Sequence, residues 1–344
     1  MKYKIVQLLR EAAPGYVSGG ELGRRFGITR TAIWKHMEEL RKEGYSIEAS
    51  SRKGYRLMSC EDMLNSWEIE DNLGTFTVGR NVQYFDAIDS TNNHAKKLAA
   101  EGCPDGLAVV AGQQTAGRGR LGRSWVSPPD KGIYITVVLR PDMAPAETQI
   151  FTLAAAVAAV KAISASTGIC LGIKWPNDLV TEGKKVCGIL LEMSSEADRV
   201  NYIVLGIGIN YSQEPDEFPE ELRSKAISLK MAAYSFKSPT PSKAPTPSIP
   251  SSYSRLSLIR SILLELDTVY QLVLNGGQEE ILKMWRGHSV TIGREVSFTL
   301  RDIEYTGTAV DITRDGKLSV ECSDGVRREL YSGEVSVRGI YDYV

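Results

Sequence analysis

Apolar residues near the start of the chain recur three and four positions apart. Ile5, Leu8, Leu9 and Ala12 line one face of a helix. Ser18-Gly19-Gly20-Glu21 has the form of a capping box, in which the serine oxygen takes a free amide and the glutamate reaches back. Leu22 and Phe26 then point inward four residues apart, Gly27 supplies a turn, and Thr29 caps a further helix with Ile33, Met37 and Leu40 on its inner face. After Gly44 come two short alternating runs, 45–49 and 54–57. Helix, helix, turn, helix and β-hairpin in this order predict a winged helix-turn-helix over residues 1–62.

From residue 67 to 231 strands and helices alternate. A strand is predicted over 82–88 and a β-branched one over 133–139. An alanine-rich helix suited to close packing covers 151–165, and strands follow over 186–193 and 202–209. This is a mixed α/β domain, assigned to 63–288. It is interrupted at 235–254 by a low-complexity Pro/Ser stretch that cannot bury enough surface to offset its ordering entropy, read as a surface spacer. Helices resume over 256–274 and 279–285. Beyond them the pattern turns to short strands, 295–299, 306–312, 318–322, 327–331 and 335–338, with hairpin turns at Asp315-Gly316 and Asp324-Gly325. Five such strands predict a small SH3-like β-barrel over 289–344, so the fold class is α+β.

Charge changes this picture at the front end. The chain of 344 residues carries a formal net charge of −1, yet residues 1–57 hold twelve basic against six acidic residues and the remainder is net acidic. A basic module on an acidic body points to a polyanion partner. Thr29, Arg30, Thr31, Lys35 and His36 on the second helix of the motif, with Arg52, Lys53 and Arg56 in the wing, suit phosphates and base edges of DNA. The five cysteines, Cys60, Cys103, Cys170, Cys187 and Cys322, are scattered without a CxxC, so neither a disulfide framework nor a zinc site is expected. His36, His94 and His288 lack metal-ligand spacing as well. No apolar run approaches the roughly 20 residues of a membrane span. The first residues are charged too early for a secretory leader. A cytoplasmic protein without a membrane partner is expected.

Four segments carry chemistry. Gly117-Arg118-Gly119-Arg120-Leu121-Gly122-Arg123 alternates residues that let backbone approach a ligand with permanently charged forks for phosphate or carboxylate. It follows Gln114 and leads into Trp125. Lys174-Trp175-Pro176-Asn177-Asp178 offers an apolar plate and a polar corner, and Lys185 enters the strand Val186-Cys187-Gly188-Ile189-Leu190-Leu191-Glu192. Asp89-Ser90-Thr91-Asn92-Asn93 caps a helix whose free amides favour anions. Gly206-Ile207-Gly208-Ile209-Asn210 ends a strand with small residues and matches neither a Rossmann nor a Walker fingerprint. Taken singly, each has a bland reading as a cap, turn or basic loop.

In this order and spacing the segments resemble the biotin protein ligases, and with the winged helix they resemble the bifunctional biotin operon repressor and ligase. The resemblance covers nearly the whole chain outside the Pro/Ser stretch. It implies a two-step reaction with ATP, Mg²⁺ and biotin: biotinyl-5′-adenylate forms first, then biotin passes to a lysine of a biotin carboxyl carrier protein. It implies that Ser90, Thr91, Asn92 and Gln114 contact biotin. Arg118, Gly119 and Arg120 would close over biotin and the phosphates, with Gly188 beside them. Trp125 would stack on adenine, with Asn177, Asn210 and Arg294 supporting the nucleotide. Lys185 would hold a carboxylate or phosphate oxygen, and Asp178 would meet Mg²⁺ or the incoming lysine. Where Leu121 stands, some relatives carry a third arginine, which bears on adenylate retention. The adenylate would also act as corepressor, promoting a homodimer that binds operator DNA. Rival readings are a ligase for another acid such as lipoate, a ligase without operator binding, and a ligand-sensing transcription factor without turnover.

Overall fold

The computed structural model describes residues 1–58, 63–237, 254–301, 303–331 and 338–339. Cys60, most of the Pro/Ser stretch at 235–254 and most of the strand expected over 335–338 lie outside the described residues. The chain divides into two compact units, Met1–Glu68 and Ile69–Val344.

The first unit contains α1 (Lys2–Glu11), α2 (Gly19–Phe26), α3 (Arg30–Lys42) and an antiparallel hairpin of β1 (Ile47–Ser50) and β2 (Gly54–Leu57). Ser18 Oγ accepts the Glu21 amide at 3.1 Å, and Thr29 Oγ1 accepts the Ala32 amide at 3.2 Å. Both caps satisfy donors that a helix start leaves open. Gly27 ends α2 at φ +68°, in the left-handed region that glycine enters without strain. Ile5, Leu9, Leu22, Ile33, Met37 and Leu40 are fully buried together, as their spacing predicts.

This unit runs on to Glu68, past the expected boundary at residue 62, because α4 (Ser66–Glu70) begins within it. Trp67 stacks on Tyr3 with centroids 4.8 Å apart. Glu68, 2% exposed, accepts from Tyr45 Oη at 2.8 Å and from Arg10 at 2.8 and 3.0 Å. A carboxylate is tolerated there because it is paired and hydrogen-bonded.

The second unit is built on a seven-stranded sheet of order β3-β4-β5-β9-β8-β7-β6. Its strands are β3 (Val82–Phe85), β4 (Ala108–Ala111), β5 (Gly132–Leu139), β6 (Gly172–Lys174), β7 (Asp178–Thr181), β8 (Lys184–Ser195) and β9 (Val200–Asn210). Only β3 and β4 run parallel; the other pairings are antiparallel. The helices are α5 (Thr91–Ala100), α6 (Gln149–Thr167), α7 (Leu229–Lys237), α8 (Arg255–Leu274) and α9 (Gln278–His288). The segment Pro145–Thr167 is long and apolar enough to cross a membrane, but most of it is buried inside this unit. It packs against α8 and α9, and its alanines allow the close approach.

A second sheet, antiparallel and of order β13-β12-β11-β10-β14, supplies the first four short strands expected of the C-terminal part, β10 (Glu295–Leu300), β11 (Ile303–Ile312), β12 (Leu318–Cys322) and β13 (Arg327–Leu330), with β14 (Arg338–Gly339) at its edge. Both predicted turn glycines have positive φ, +84° at Gly316 and +79° at Gly325. The Gly316 carbonyl accepts from Gln149 Nε2 at 2.6 Å and from Trp175 Nε1 at 3.2 Å, tying this sheet to the base of the larger one.

Candidate active site

The turn after β3 delivers Ser90, whose Oγ caps α5 through the Asn93 amide at 3.4 Å. Behind it a polar network closes. The amide and hydroxyl of Thr91 both donate to Gln114 Oε1, at 2.9 and 3.0 Å, and Gln114 Nε2 donates to Ser127 Oγ at 3.0 Å. Thr136 Oγ1 lies 2.8 Å from both Thr91 Oγ1 and Asn92 Oδ1. Asn92 Nδ2 donates to Glu192 Oε2 at 2.9 Å. Ser90, Thr91 and Asn92 are buried, so these bonds are what make their burial affordable. Gly206 on β9 gives Asn92 its space: a Cβ there would fall 2.1 Å from Asn92 Oδ1.

The Gly-Arg loop folds back on itself. Trp125 N–H donates to the Gly117 carbonyl at 2.9 Å, and Gly119 N–H donates to the Arg123 carbonyl at 2.7 Å. At the loop tip Leu121 holds φ +54° and is exposed. Arg118 donates to Asn93 Oδ1 at 2.9 Å and lies 3.3 Å from Glu192 Oε1. Arg120 donates to Asn177 Oδ1 at 2.9 Å. Burial depresses the pKa of Arg120, with the charge of Asp178 acting the other way. The loop therefore places one arginine at each end of the pocket beneath it.

Trp125 lies across paired glycines of β8 and β9. Gly188 faces Gly208 in register, and a Cβ at either would reach within 2.9 and 2.6 Å of the indole. The indole Nε1 is buried without a partner among the described residues. Lys185 Nζ sits 5.3 Å from the Trp125 ring and 2.5 Å from Asp178 Oδ1. Asn177 Nδ2 donates to the Ile189 carbonyl at 2.7 Å, fixing the turn between β6 and β7. Asn210 Nδ2 lies near the carbonyls of Lys185 and Ile227, and Asn210 Oδ1 accepts from Gln213 Nε2 at 3.4 Å. Trp175 is not an open plate: it is 1% exposed, and its own amide donates to Thr291 Oγ1 at 2.9 Å.

These groups surround one cavity of about 900 Å³. Every residue assigned to biotin, to the nucleotide or to catalysis lines it except Arg294. Arg294 is exposed in the turn before β10 and is not among the residues that line this cavity. Sequence reasoning gave no role to Ser127, Thr136, Lys174, Glu192, Gly206 and Gly208. The spacing of the two glycines on alternate positions of β9 was the visible signal, since alternate strand residues share a face. Among the described residues no group of three or more His, Cys, Asp or Glu could hold a metal ion. Asp178, on the wall of the cavity, is paired with Lys185.

In the first unit, Arg30, Thr31 and Lys35 are exposed at the start and outer side of α3, and Arg52 and Lys53 are exposed in the wing turn. Thr29 is spent partly as a cap, and His36 Nδ1 lies 3.3 Å from Glu39. Arg56 pairs with Glu48 and lies 4.8 Å from the Tyr16 ring. The Tyr16 hydroxyl, then Arg56, hold the Glu48 carboxyl below the usual range. Trp34 was not foreseen: it is 54% exposed, between Thr31 and Lys35.

The chain matches the Biotin/lipoate A/B protein ligase family over residues 84–210. It also matches an HTH domain over 2–56 and the Biotin protein ligase C terminal domain over 291–338. It is 38% identical to the bifunctional ligase/repressor BirA of Bacillus spizizenii, over 98% of each chain. It is 29% identical to the protein of the same name from Escherichia coli, over 97% of this chain and 96% of that one. A biotin protein ligase from Aquifex aeolicus, solved in complex with biotin and ATP, is 27% identical and superposes with a TM-score of 0.61 over 76% of this chain and 99% of its own.

Proposed function

The chain belongs to the biotin protein ligase family in its bifunctional ligase and repressor form, and from that premise we propose how its cavity carries the reaction. The protein is a biotin ligase that uses ATP, and a repressor. In the first step a biotin carboxylate oxygen bonds to the α-phosphorus of MgATP, the bond to the β-phosphate breaks, and pyrophosphate leaves. In the second, the uncharged amine of a carrier lysine attacks the acyl carbon, the bond to AMP breaks, and the lysine proton goes to solvent.

One observation carries the reading. Arg118, Arg120 and Lys185 converge on a single cavity whose other walls are the Ser90–Asn92 cap, Gln114 and the Trp125 indole. Adenylation spreads negative charge over phosphate oxygens, and fixed cations in a pocket shielded from water lower that barrier most. Arg120 and Lys185 flank Asp178, so cations and the carboxylate suited to a nucleotide-borne Mg²⁺ lie at the same end. Ser90, Thr91, Asn92 and Gln114 form the polar end, where biotin is placed. Trp125 offers its face to adenine. The loop bearing both arginines covers the mixed anhydride and keeps water from it until the carrier arrives. No protein nucleophile enters either step.

Pyrophosphate release with biotin and MgATP, compared with lipoate, tests the first step. Mass spectrometry of a biotin carrier domain added afterwards tests the second. Release with lipoate alone would assign the cavity to another acid. No release at all would leave a ligand sensor.

For the repressor, the exposed Arg30, Thr31 and Lys35 on α3 and Arg52 and Lys53 in the wing support a helix in the major groove flanked by phosphate contacts. Ordering the Gly-Arg loop over the adenylate would favour a homodimer that spans two half-sites. Sedimentation with and without biotin plus ATP tests this, and an unchanged monomer fraction would sink it.

A further inference from the structure

Glu192 closes the motif that begins at Lys185, and no step of the reaction uses it. On β8 it shares a face with Gly188 and Leu190, which line the cavity, so alternation aims it toward the polar end of the site. Its side chain is only 19% exposed, yet three donors reach it: Asn92 Nδ2 at 2.9 Å, Lys96 Nζ at 2.5 Å and Arg118 NH2 at 3.3 Å. Two of the donors stand on α5 and the third is in the Gly-Arg loop. A carboxylate placed among them gathers, at one point, the helix that caps the polar end and the loop that covers it.

Two consequences follow from the donor set. The carboxylate takes only hydrogens, so it fixes which way the Asn92 amide faces, with Nδ2 toward Glu192 and Oδ1 toward Thr136. It also anchors the first arginine of the loop, which has a second hold on Asn93 Oδ1 in the first turn of α5. A Gly-rich loop loses much conformational freedom when it closes, and a fixed anchor lowers that cost. We propose that Glu192 is a positioning residue for the ligase reaction. Through Arg118 it docks the Gly117–Arg123 loop over the biotin end of the cavity, and through Asn92 it orients the amide that meets biotin. This rests on the ligase reading above.

The test is a double-mutant cycle on the full-length protein, read as KM for biotin, KM for ATP and the half-life of bound biotinyl-adenylate. Glu192→Gln keeps the size of the side chain and an acceptor for Asn92 but removes the charge that holds Arg118. It is expected to raise KM for biotin and shorten the adenylate half-life by roughly three- to tenfold, with KM for ATP nearly unchanged. In an Arg118→Ala background the same change is expected to add little, because the anchor is already gone. Glu192→Asp, which keeps the charge, should recover part of the half-life. If Glu192→Gln does not fold, the cycle is run with Glu192→Asp, whose shorter reach weakens the hold on Arg118, and a smaller loss that again adds little in the Arg118→Ala background is expected. Additive effects, or equal rises in both KM values, would overturn the proposal. A wild-type protein that forms no biotinyl-adenylate would overturn the ligase reading instead.

Discussion

Gly208 and Trp125 share one space: a Cβ at residue 208 would lie 2.6 Å from the indole nitrogen and 2.7 Å from its neighbouring ring carbon. The indole is a rigid plate and cannot absorb this overlap by bending a tip. Gly208→Ala must lift or turn the ring, and the adenine platform with it. Calorimetric titration should show ATP affinity reduced by about tenfold or more, the scale at which aromatic stacking contributes, while biotin still binds.

The neighbouring glycine of β9 should do the opposite. Gly206→Ala places a methyl group 2.1 Å from Asn92 Oδ1, inside the network that runs through Thr136, Thr91 and Gln114. Displacing one buried partner leaves others without theirs, which costs about 1–3 kcal/mol for each such group. Biotin affinity should fall and ATP affinity should stay close to wild type. Two alanines one strand step apart would thus separate the two ends of the cavity.

Lys185 is tied to Asp178 and held near the indole on the wall of the cavity, and in the reaction proposed it would meet the charge that develops during adenylation. Lys185→Ala should slow adenylate formation by about a hundredfold or more. Transfer from chemically supplied biotinyl-adenylate should fall less, because the acyl transfer builds less charge on phosphate. Rapid-quench measurement of each half-reaction checks this, and equal losses in both would refute it.

Glu192 also predicts a pH dependence. Burial acts to raise its pKa, but the hydrogen bonds from Asn92 and Lys96 and the charges of Lys96 and Arg118 outweigh it and hold the carboxyl below its ordinary value of 4.5. A folded-state pKa below the unfolded one contributes stability that is fully present above the unfolded value. That stability is lost as pH falls through the folded one. The melting-temperature gap between wild type and Glu192→Gln should therefore be open at pH 7 and begin to close only below about 4.5. Thermal melts across pH 3 to 7 measure it.

What the sequence made legible is what local chemistry decides. The caps at Ser18, Thr29 and Ser90 each bond an amide three residues on, so the signal and its partner lie in one short window. The turn glycines Gly316 and Gly325 are visible for the same reason. The hold of Trp67 and Glu68 on the winged helix was not legible because it is non-local: Trp67 lies on Tyr3, and Glu68 under Tyr45 and Arg10. Glu192 had no readable role because Asn92, its partner, stands 100 positions away. Arg294 rests on resemblance alone, because nothing local in its turn before β10 marks a nucleotide contact.

In the DNA contact proposed for α3, two exposed side chains would play different parts. Lys35 is a flexible point charge that suits phosphate, whereas Trp34 offers an exposed flat ring that suits the apolar edge of a base or sugar. Lys35→Ala should weaken binding to operator and random DNA alike and reduce the slope of log K against log salt by about 0.9, one phosphate's worth. Trp34→Ala should leave that slope nearly unchanged and narrow the gap between operator and random DNA. Fluorescence anisotropy over a salt series distinguishes them. A Trp34→Ala protein with an altered slope and an unaltered preference would mean that the ring serves only to brace the backbone contacts.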